Sequence, residues 1–339
     1  YDFDCRIADW MAPPPVPASN PMNPAKLELG RRLFYDIRLS GPGYMACATC
    51  HQQSQGFADT RRVPIGITGE HHHRNSMALT NVAYFKTLTW ANSRERHLEE
   101  RLRRPLFGTE PVEMGSLGHE AAIVDLLSSN SVYRGLFAQS FPDTRGEINF
   151  STIGKAIAAF QRTLISARAP YDLYRYGGQP GAISAAAQRG ETLFFGNRLR
   201  CGECHQAPHF TDAANSAKYH NTGLYNVDGK GRLPDRDQGL FDISKKPEDV
   251  GRFRAPSLRN VAATAPYMHD GSLATLSDVI EHYKAGGQAA RRGAPSPLRS
   301  KFVSGFSLSG SEKADLIAFL ESLTDTQFLN DRRFSSPFR

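Results

Sequence analysis

Four of the five cysteines stand in two pairs of identical spacing, each followed directly by a histidine: Cys47-Ala48-Thr49-Cys50-His51 and Cys201-Gly202-Glu203-Cys204-His205. Cys-x-x-Cys-His is the attachment pattern of c-type haem. Local geometry is the reason. Two thiols three residues apart each add to a vinyl group of one porphyrin, and the histidine after the second thiol lies under the ring and coordinates the iron from one face. The pattern predicts one haem on Cys47, Cys50 and His51 and another on Cys201, Cys204 and His205. A zinc site gathers four ligands from paired knuckles, whereas these pairs lie 154 positions apart. A thioredoxin-like pair requires neither the histidine nor a second copy. What each iron does depends on its other axial position: a Met or His closes it for electron transfer, and an open position binds peroxide or oxygen.

The segments that position these motifs are repeated too. Gly30, Leu33, Phe34, Arg38 and Leu39 recur at identical offsets as Gly190, Leu193, Phe194, Arg198 and Leu199, and each motif leads on to a Phe and an Asp, Phe57 and Asp59 or Phe210 and Asp212. Such self-similarity implies one structural unit used twice. Each unit closes with an apolar helical stripe, Ile153, Ile157, Phe160 and Leu164 in the first and Leu316, Phe319, Leu320 and Leu323 in the second, the latter behind a capping box at Ser309 and Glu312. At roughly 150 residues per domain, 339 residues suggest two. The fold class expected is mostly α: two cytochrome c-like helical domains with long loops, residues 1–175 and 176–339, each carrying one covalently attached haem. The boundary is expected within 168–182, where Ala169-Pro170 and Gly177-Gly178-Gln179-Pro180-Gly181 break any helix.

Composition narrows the function. Hydrophobic residues at 40% and charged residues at 22% mark a globular chain. It has no apolar run long enough to span a membrane. Forty-one basic against 34 acidic residues, without basic runs, argues against nucleic acid as a partner. The chain is long enough to bury its own core, which removes the need for a disulfide scaffold. The first ten residues lack the apolar stretch of a signal peptide, so the sequence reads as a mature, trimmed form, and Cys5 reads as a free thiol or an artefact of the terminus.

Between the haem motifs and beyond them the chain resembles the bacterial di-haem cytochrome c peroxidase family, and within it the MauG-type enzymes. The matching segments are Arg74-Asn75, Trp90, Leu98-Glu99-Glu100, Pro111-Val112-Glu113-Met114-Gly115, Phe253-Arg254-Ala255-Pro256-Ser257-Leu258-Arg259-Asn260, Thr264-Ala265-Pro266-Tyr267-Met268-His269-Asp270-Gly271-Ser272 and Glu281-His282-Tyr283. The resemblance implies Tyr283 as second axial ligand of the His205 haem, where the peroxidases have Met. A phenolate is a hard anionic donor that stabilises oxidised iron. Read from the residues alone, Tyr283 shares an apolar helix face with Leu276, Val279 and Ile280. Met268, the competing ligand, is expected to pack as core filler. The His51 haem is then the peroxide-reactive one, and Glu113 matches the family's distal acid–base group. Pro105 matches the pocket wall. Arg101 replaces a common Gln, and its guanidinium either polarises peroxide or points to solvent. The Pro105–Glu113 spacing is slightly longer than in MauG. His71-His72-His73 is expected to be a solvated loop.

Trp90 matches the tryptophan between the two haems, an aromatic bridge for electron hopping. Asn75, with the carbonyls of Thr264 and Pro266, matches an interdomain calcium site. Leu199 replaces the tryptophan through which MauG withdraws electrons from its partner, so the path to the surface must differ, with Trp10 and the tyrosines around 218–225 as candidates. The resemblance, closest to the MbnH-like subgroup, implies a periplasmic enzyme. Hydrogen peroxide would generate a high-valent di-haem state that oxidises aromatic residues, tryptophan above all, of a partner such as an MbnP-like protein. The alternatives are a cytochrome c peroxidase that reduces peroxide to water with electrons from a small redox protein, and a di-haem electron carrier with no enzymatic activity.

Overall fold

A computed structural model describes residues 7–234 and 237–338, and Cys5 lies outside the described residues. The architecture is mostly helical, with one two-stranded antiparallel sheet in which His220–Asn221 pairs with Arg252–Phe253. Two buried clusters organise the chain. The first gathers residues between Leu29 and Leu164 with Phe328 and Phe334, and the second gathers residues between Tyr171 and Leu323.

Each cluster is built around a crossed pair of helices. Pro24–Tyr35 packs on Phe150–Arg162, and Ala185–Phe195 packs on Gly310–Glu321. The repeated glycines are the crossing points. A Cβ on Gly30 would lie 1.9 Å from the Ala156 carbonyl oxygen, and one on Gly190 would lie 2.1 Å from that of Asp315. Only a residue without a side chain lets the two backbones approach so closely. The repeated phenylalanines fill the adjacent layer: Phe34 meets Phe160 with ring centroids 5.3 Å apart, and Phe194 meets Phe319 at 5.1 Å.

The closing helices begin where their caps dictate. Asn149 accepts from the Thr152 amide at 2.9 Å and Ser309 from the Glu312 amide at 3.2 Å. One sequence expectation fails at 168–182. Ala169-Pro170 starts a short helix, Pro170–Arg175, because proline at the first helical position gives up an amide that would have no intrahelical partner. This helix is tied to the rest of the second cluster by Arg259, which donates to both carboxylate oxygens of Asp172 at 2.8 Å while fully buried. The end of the chain returns to the first cluster. Tyr35 donates to the Phe334 carbonyl at 2.7 Å and Gln53 Nε2 to that of Asp331 at 2.8 Å. Among the described residues no helix is long and apolar enough to cross a membrane.

Candidate functional site

Both Cys-x-x-Cys-His motifs fold as a single tight turn. The His51 amide donates to the Cys47 carbonyl and the His205 amide to the Cys201 carbonyl, each at 3.0 Å, and the turn brings both thiols and the imidazole to one side. Each imidazole is then fixed from behind. His51 Nδ1 meets the Phe57 carbonyl oxygen at 2.7 Å, and His205 Nδ1 meets that of Phe210 at 3.0 Å. A carbonyl only accepts, so Nδ1 carries the proton and Nε2 keeps its lone pair for a metal. Both phenylalanines hold left-handed backbone, φ 63° and 52°, a costly conformation for a bulky residue and one that aims the carbonyl back at the ring. Burial lowers the pKa of both histidines below 6.5 and keeps them neutral, as a ligand must be. Burial also pushes the Cys47 and Cys201 thiols up to about 12 and the Cys50 thiol to about 11.

The first motif opens into a cavity of about 540 Å³. Cys47, Cys50 and His51 form one wall. Glu113, Pro105 and Arg101 belong to its lining, as do Trp90 and Asn75. The Met114 amide donates to the Pro105 carbonyl at 2.9 Å, which clamps the segment bearing Glu113 to the short helix Arg103–Phe107 across the longer spacing between them. Arg101 lines the cavity rather than pointing to solvent. Its Nε pairs with Glu95 at 3.2 Å, and its buried Nη1 has no partner.

The triple histidine divides. His71 is exposed as expected of a loop and His73 is exposed at the cavity's edge, but His72 turns into the cavity, its Nδ1 4.0 Å from Glu113 Oε1. The solvated-loop reading is therefore wrong for His72. The reason lies in the loop's own closure: Ile65 and His71 form an antiparallel bridge, the His72 amide donates to the Pro64 carbonyl at 2.9 Å, and the Ile67 amide donates to that of Glu113 at 2.8 Å. Burial lowers the His72 pKa against the opposing pull of Glu113.

Trp90 is buried in a small cluster with Leu233 and Phe253. Its indole N–H donates to the Asn75 carbonyl at 2.8 Å, and its own carbonyl accepts from the Arg254 amide at 2.7 Å, so it is held from both halves of the chain. Asn75 also spans the seam, its amide donating to the His269 carbonyl at 2.7 Å while its side-chain Nδ2 donates to the carbonyls of Arg61 and Arg62. Thr264 and Pro266 are half-buried in the segment leading to His269.

At the second motif, Tyr283 lies on helix Leu276–Lys284. The residue is half-buried, and desolvation raises its phenol pKa, with the Cys204 and Cys201 thiols as further causes. Met268 holds a left-handed turn at φ 72° and belongs to neither main cluster. Leu199 is packed in the second cluster.

Sequence reasoning missed a further set. Arg254 is buried without a carboxylate on its guanidinium. Nη1 donates to the Thr87 carbonyl at 2.6 Å, Nη2 reaches Met77 Sδ at 3.4 Å, and Nε has no partner. Burial pushes its pKa down to about 10. The neighbouring Tyr219 and Thr87 hydroxyls bond to each other and complete a buried polar cradle beside it. A buried guanidinium with an unsatisfied Nε and no carboxylate on it among the described residues calls for an anion. A haem brings two carboxylates, so this cradle, the two histidines anchored through Nδ1 and the first cavity together fit the cofactor that the motifs imply. The local signal for Arg254 was only its place in a matching segment. Its partners lie far away in sequence.

Comparison with known proteins agrees with this geometry. Residues 24–180 match the family model of the di-haem cytochrome c peroxidases. The methylamine utilization protein MauG of Methylophilus methylotrophus is 37% identical, with 91% of this chain and 85% of that protein covered. The cytochrome-c peroxidase IdrP1 of Denitromonas iodatirespirans is 34% identical over 94% of this chain and 86% of its own length. The crystal structure of a MauG-like protein associated with microbial copper homeostasis superimposes with a TM-score of 0.94 at 44% identity, covering the whole of both chains. The diheme peroxidase BthA of Burkholderia thailandensis shares the fold at 23% identity with a TM-score of 0.72, covering 94% of this chain and 91% of its own. The chain belongs to the di-haem cytochrome c peroxidase family, whose members carry two covalently bound c-type haems.

Proposed function

We propose that this chain is a MauG-type enzyme of the periplasm that uses hydrogen peroxide to oxidise aromatic residues, tryptophan first, of a partner protein. The observation that carries the reading is Tyr283, a half-buried phenol on helix Leu276–Lys284 of the second unit, at the position where the peroxidases of the family have Met. When bound, the haems supply iron that reacts with peroxide and stores two oxidising equivalents. The rest falls to the side chains.

His51 and His205 would hold the irons through Nε2, and the carbonyls of Phe57 and Phe210 keep each ring in the tautomer that leaves that atom unprotonated. Glu113 takes a proton from peroxide at one oxygen and returns it to the departing oxygen. His72, 4.0 Å away, is within reach of Glu113 through one water and supports that exchange. Arg101 offers its unpartnered Nη1 to the cavity, where it polarises the bound oxygens. Trp90 lies between the two haem units and passes electrons from one to the other. Asn75 Oδ1 and the carbonyls of Thr264 and Pro266 are oxygen donors that would suit a hard cation such as calcium, which would fix the seam. The MauG-like neighbour of 44% identity over the full chain supports the choice within the family.

The test is spectroscopic. Peroxide added to the fully oxidised protein forms a long-lived oxidised state without prior reduction. Tyr283→Met abolishes that state while leaving both haems attached. A protein that reacts only after one haem has been reduced, and then turns over with a small reduced cytochrome, is the conventional peroxidase, and the proposal falls.

A further inference from the structure

Leu199 leaves the second haem unit without the surface tryptophan used by MauG, and the structure supplies a different aromatic series from the same core. Phe210, whose carbonyl orients His205, packs edge-on against Tyr171 with centroids 5.3 Å apart. Tyr171 meets Tyr176 at 6.5 Å, and Tyr176 stacks on Trp10 at 4.2 Å with the planes 18° apart. Tyr171 is buried, while Tyr176 is 38% exposed. The series therefore runs from the haem-bearing segment to solvent.

Its chemistry distinguishes it from ordinary aromatic packing. A tyrosine gives up an electron readily only if its proton has somewhere to go. The Tyr171 hydroxyl donates to Glu191 Oε1 at 3.0 Å, a carboxylate able to take it. The other tyrosines of the second half are placed less well. Tyr219 meets only the Thr87 hydroxyl, a poor proton acceptor, Tyr267 donates to the Val261 carbonyl, which accepts no proton, and Tyr225 donates to Asp270 but packs in the Trp90 cluster at the seam between the halves. Arg259 secures the assembly. It is paired with Asp172, and its guanidinium lies 5.6 Å from the Trp10 ring and 5.8 Å from that of Phe210. The carboxylate offsets the positive charge that would otherwise oppose oxidation of Trp10.

We propose that Tyr171, Tyr176 and Trp10 form the outlet through which oxidising equivalents leave the second haem unit for an aromatic donor at the surface, with Glu191 as the proton acceptor of Tyr171. This inference rests on the function proposed above. One electron passes from Tyr171 to the oxidised haem pair while the phenol proton moves to Glu191. The tyrosyl radical then takes an electron from Tyr176 or Trp10, and its proton returns from Glu191. The surface residue loses its own proton to water, then recovers an electron from the external donor and a proton from water. Two such passes return the haem pair to its resting level. Without a donor, the two-electron loss is made good at the outlet itself: water adds one oxygen atom to Trp10 or Tyr176 and two protons are released.

The holoprotein, given one equivalent of peroxide without any partner, is followed by optical spectroscopy and then by peptide mass mapping. Expected in the wild type are oxygen incorporation at Trp10 and Tyr176 and a decay of the oxidised state that slows in heavy water. Tyr171→Phe removes one hydroxyl and keeps the packing. It should lengthen the decay by on the order of tenfold, suppress the labelling and abolish the heavy-water effect. Glu191→Gln should do the same, and Tyr225→Phe should do none of these. Oxidised state formed as in the wild type, with labelling elsewhere or with decay unchanged in Tyr171→Phe and Glu191→Gln, overturns the outlet alone. Failure of the wild type to form that state overturns both the outlet and the proposed function.

Discussion

Glu113 and His72 show how little sequence distance says about a site. Forty-one positions apart, they face each other in one cavity at 4.0 Å. Glu113→Gln keeps the shape and removes the base. The rate of the peroxide reaction should fall by roughly 10²–10⁴-fold, measured by stopped flow, with haem content unchanged. The haem-binding residues were legible because Cys-x-x-Cys-His is a local pattern. Glu113 and Trp90 were legible only through resemblance. His72 was hidden among identical neighbours, since which of three adjacent histidines points inward depends on a loop closed by Ile65 and His71. His209 carries a pH dependence at the same scale. Burial, with Arg259 nearby, lowers its pKa from 6.5 to about 4. The unfolded chain therefore takes up a proton that the folded one refuses. Stability is unaffected above pH 6.5 and falls as pH drops toward 4, by about 3 kcal/mol from this residue if fully expressed. Urea titrations at pH 7, 5.5 and 4.5 should show a shallower loss in His209→Gln than in the wild type.

Helices reveal what the repeat in the sequence was for. Gly30 and Gly190 looked like matched letters; they are the two points where paired helices touch backbone to backbone. The repeated Leu-Phe that follows fills the core beside each crossing. This part of the fold was readable because it depends on helical periodicity and on a missing side chain. The helix Pro170–Arg175 was not, because Pro and Gly signal a break without saying how few residues a helix needs between them. Gly30→Ala and Gly190→Ala each force a pair of helices apart, at a cost of about 1–3 kcal/mol. Thermal unfolding should show both variants destabilised, and limited proteolysis should show the first cut sooner in residues 24–162 and the second in residues 185–321.

For the molecule as a whole, the seam matters most. Trp90 is hydrogen-bonded to Asn75 on one side and to Arg254 on the other, and Arg254 belongs to the buried polar cradle. Trp90→Phe deletes the indole N–H but keeps an aromatic ring. After peroxide addition, the optical change at the second haem should lag that at the first by about tenfold more than in the wild type, with total haem unchanged by pyridine assay. The proposed calcium site makes the further prediction that a chelator produces the same lag and that added calcium reverses it; no effect of the chelator removes calcium from the seam. The seam was legible only through resemblance, since the contacts that close it, Trp90 with Arg254 and Asn75 with His269, join segments far apart in the chain. A different long-range join has a consequence for biogenesis. Phe328 and Phe334 belong to the first cluster, and Gln53, two residues past His51, is anchored to the Asp331 carbonyl 278 positions away. A polypeptide delivered amino end first thus makes its earliest haem-bearing unit first and completes it last. Until the final helix arrives, that unit lacks part of its interior, and it stays accessible to the machinery that must weld the porphyrin in place.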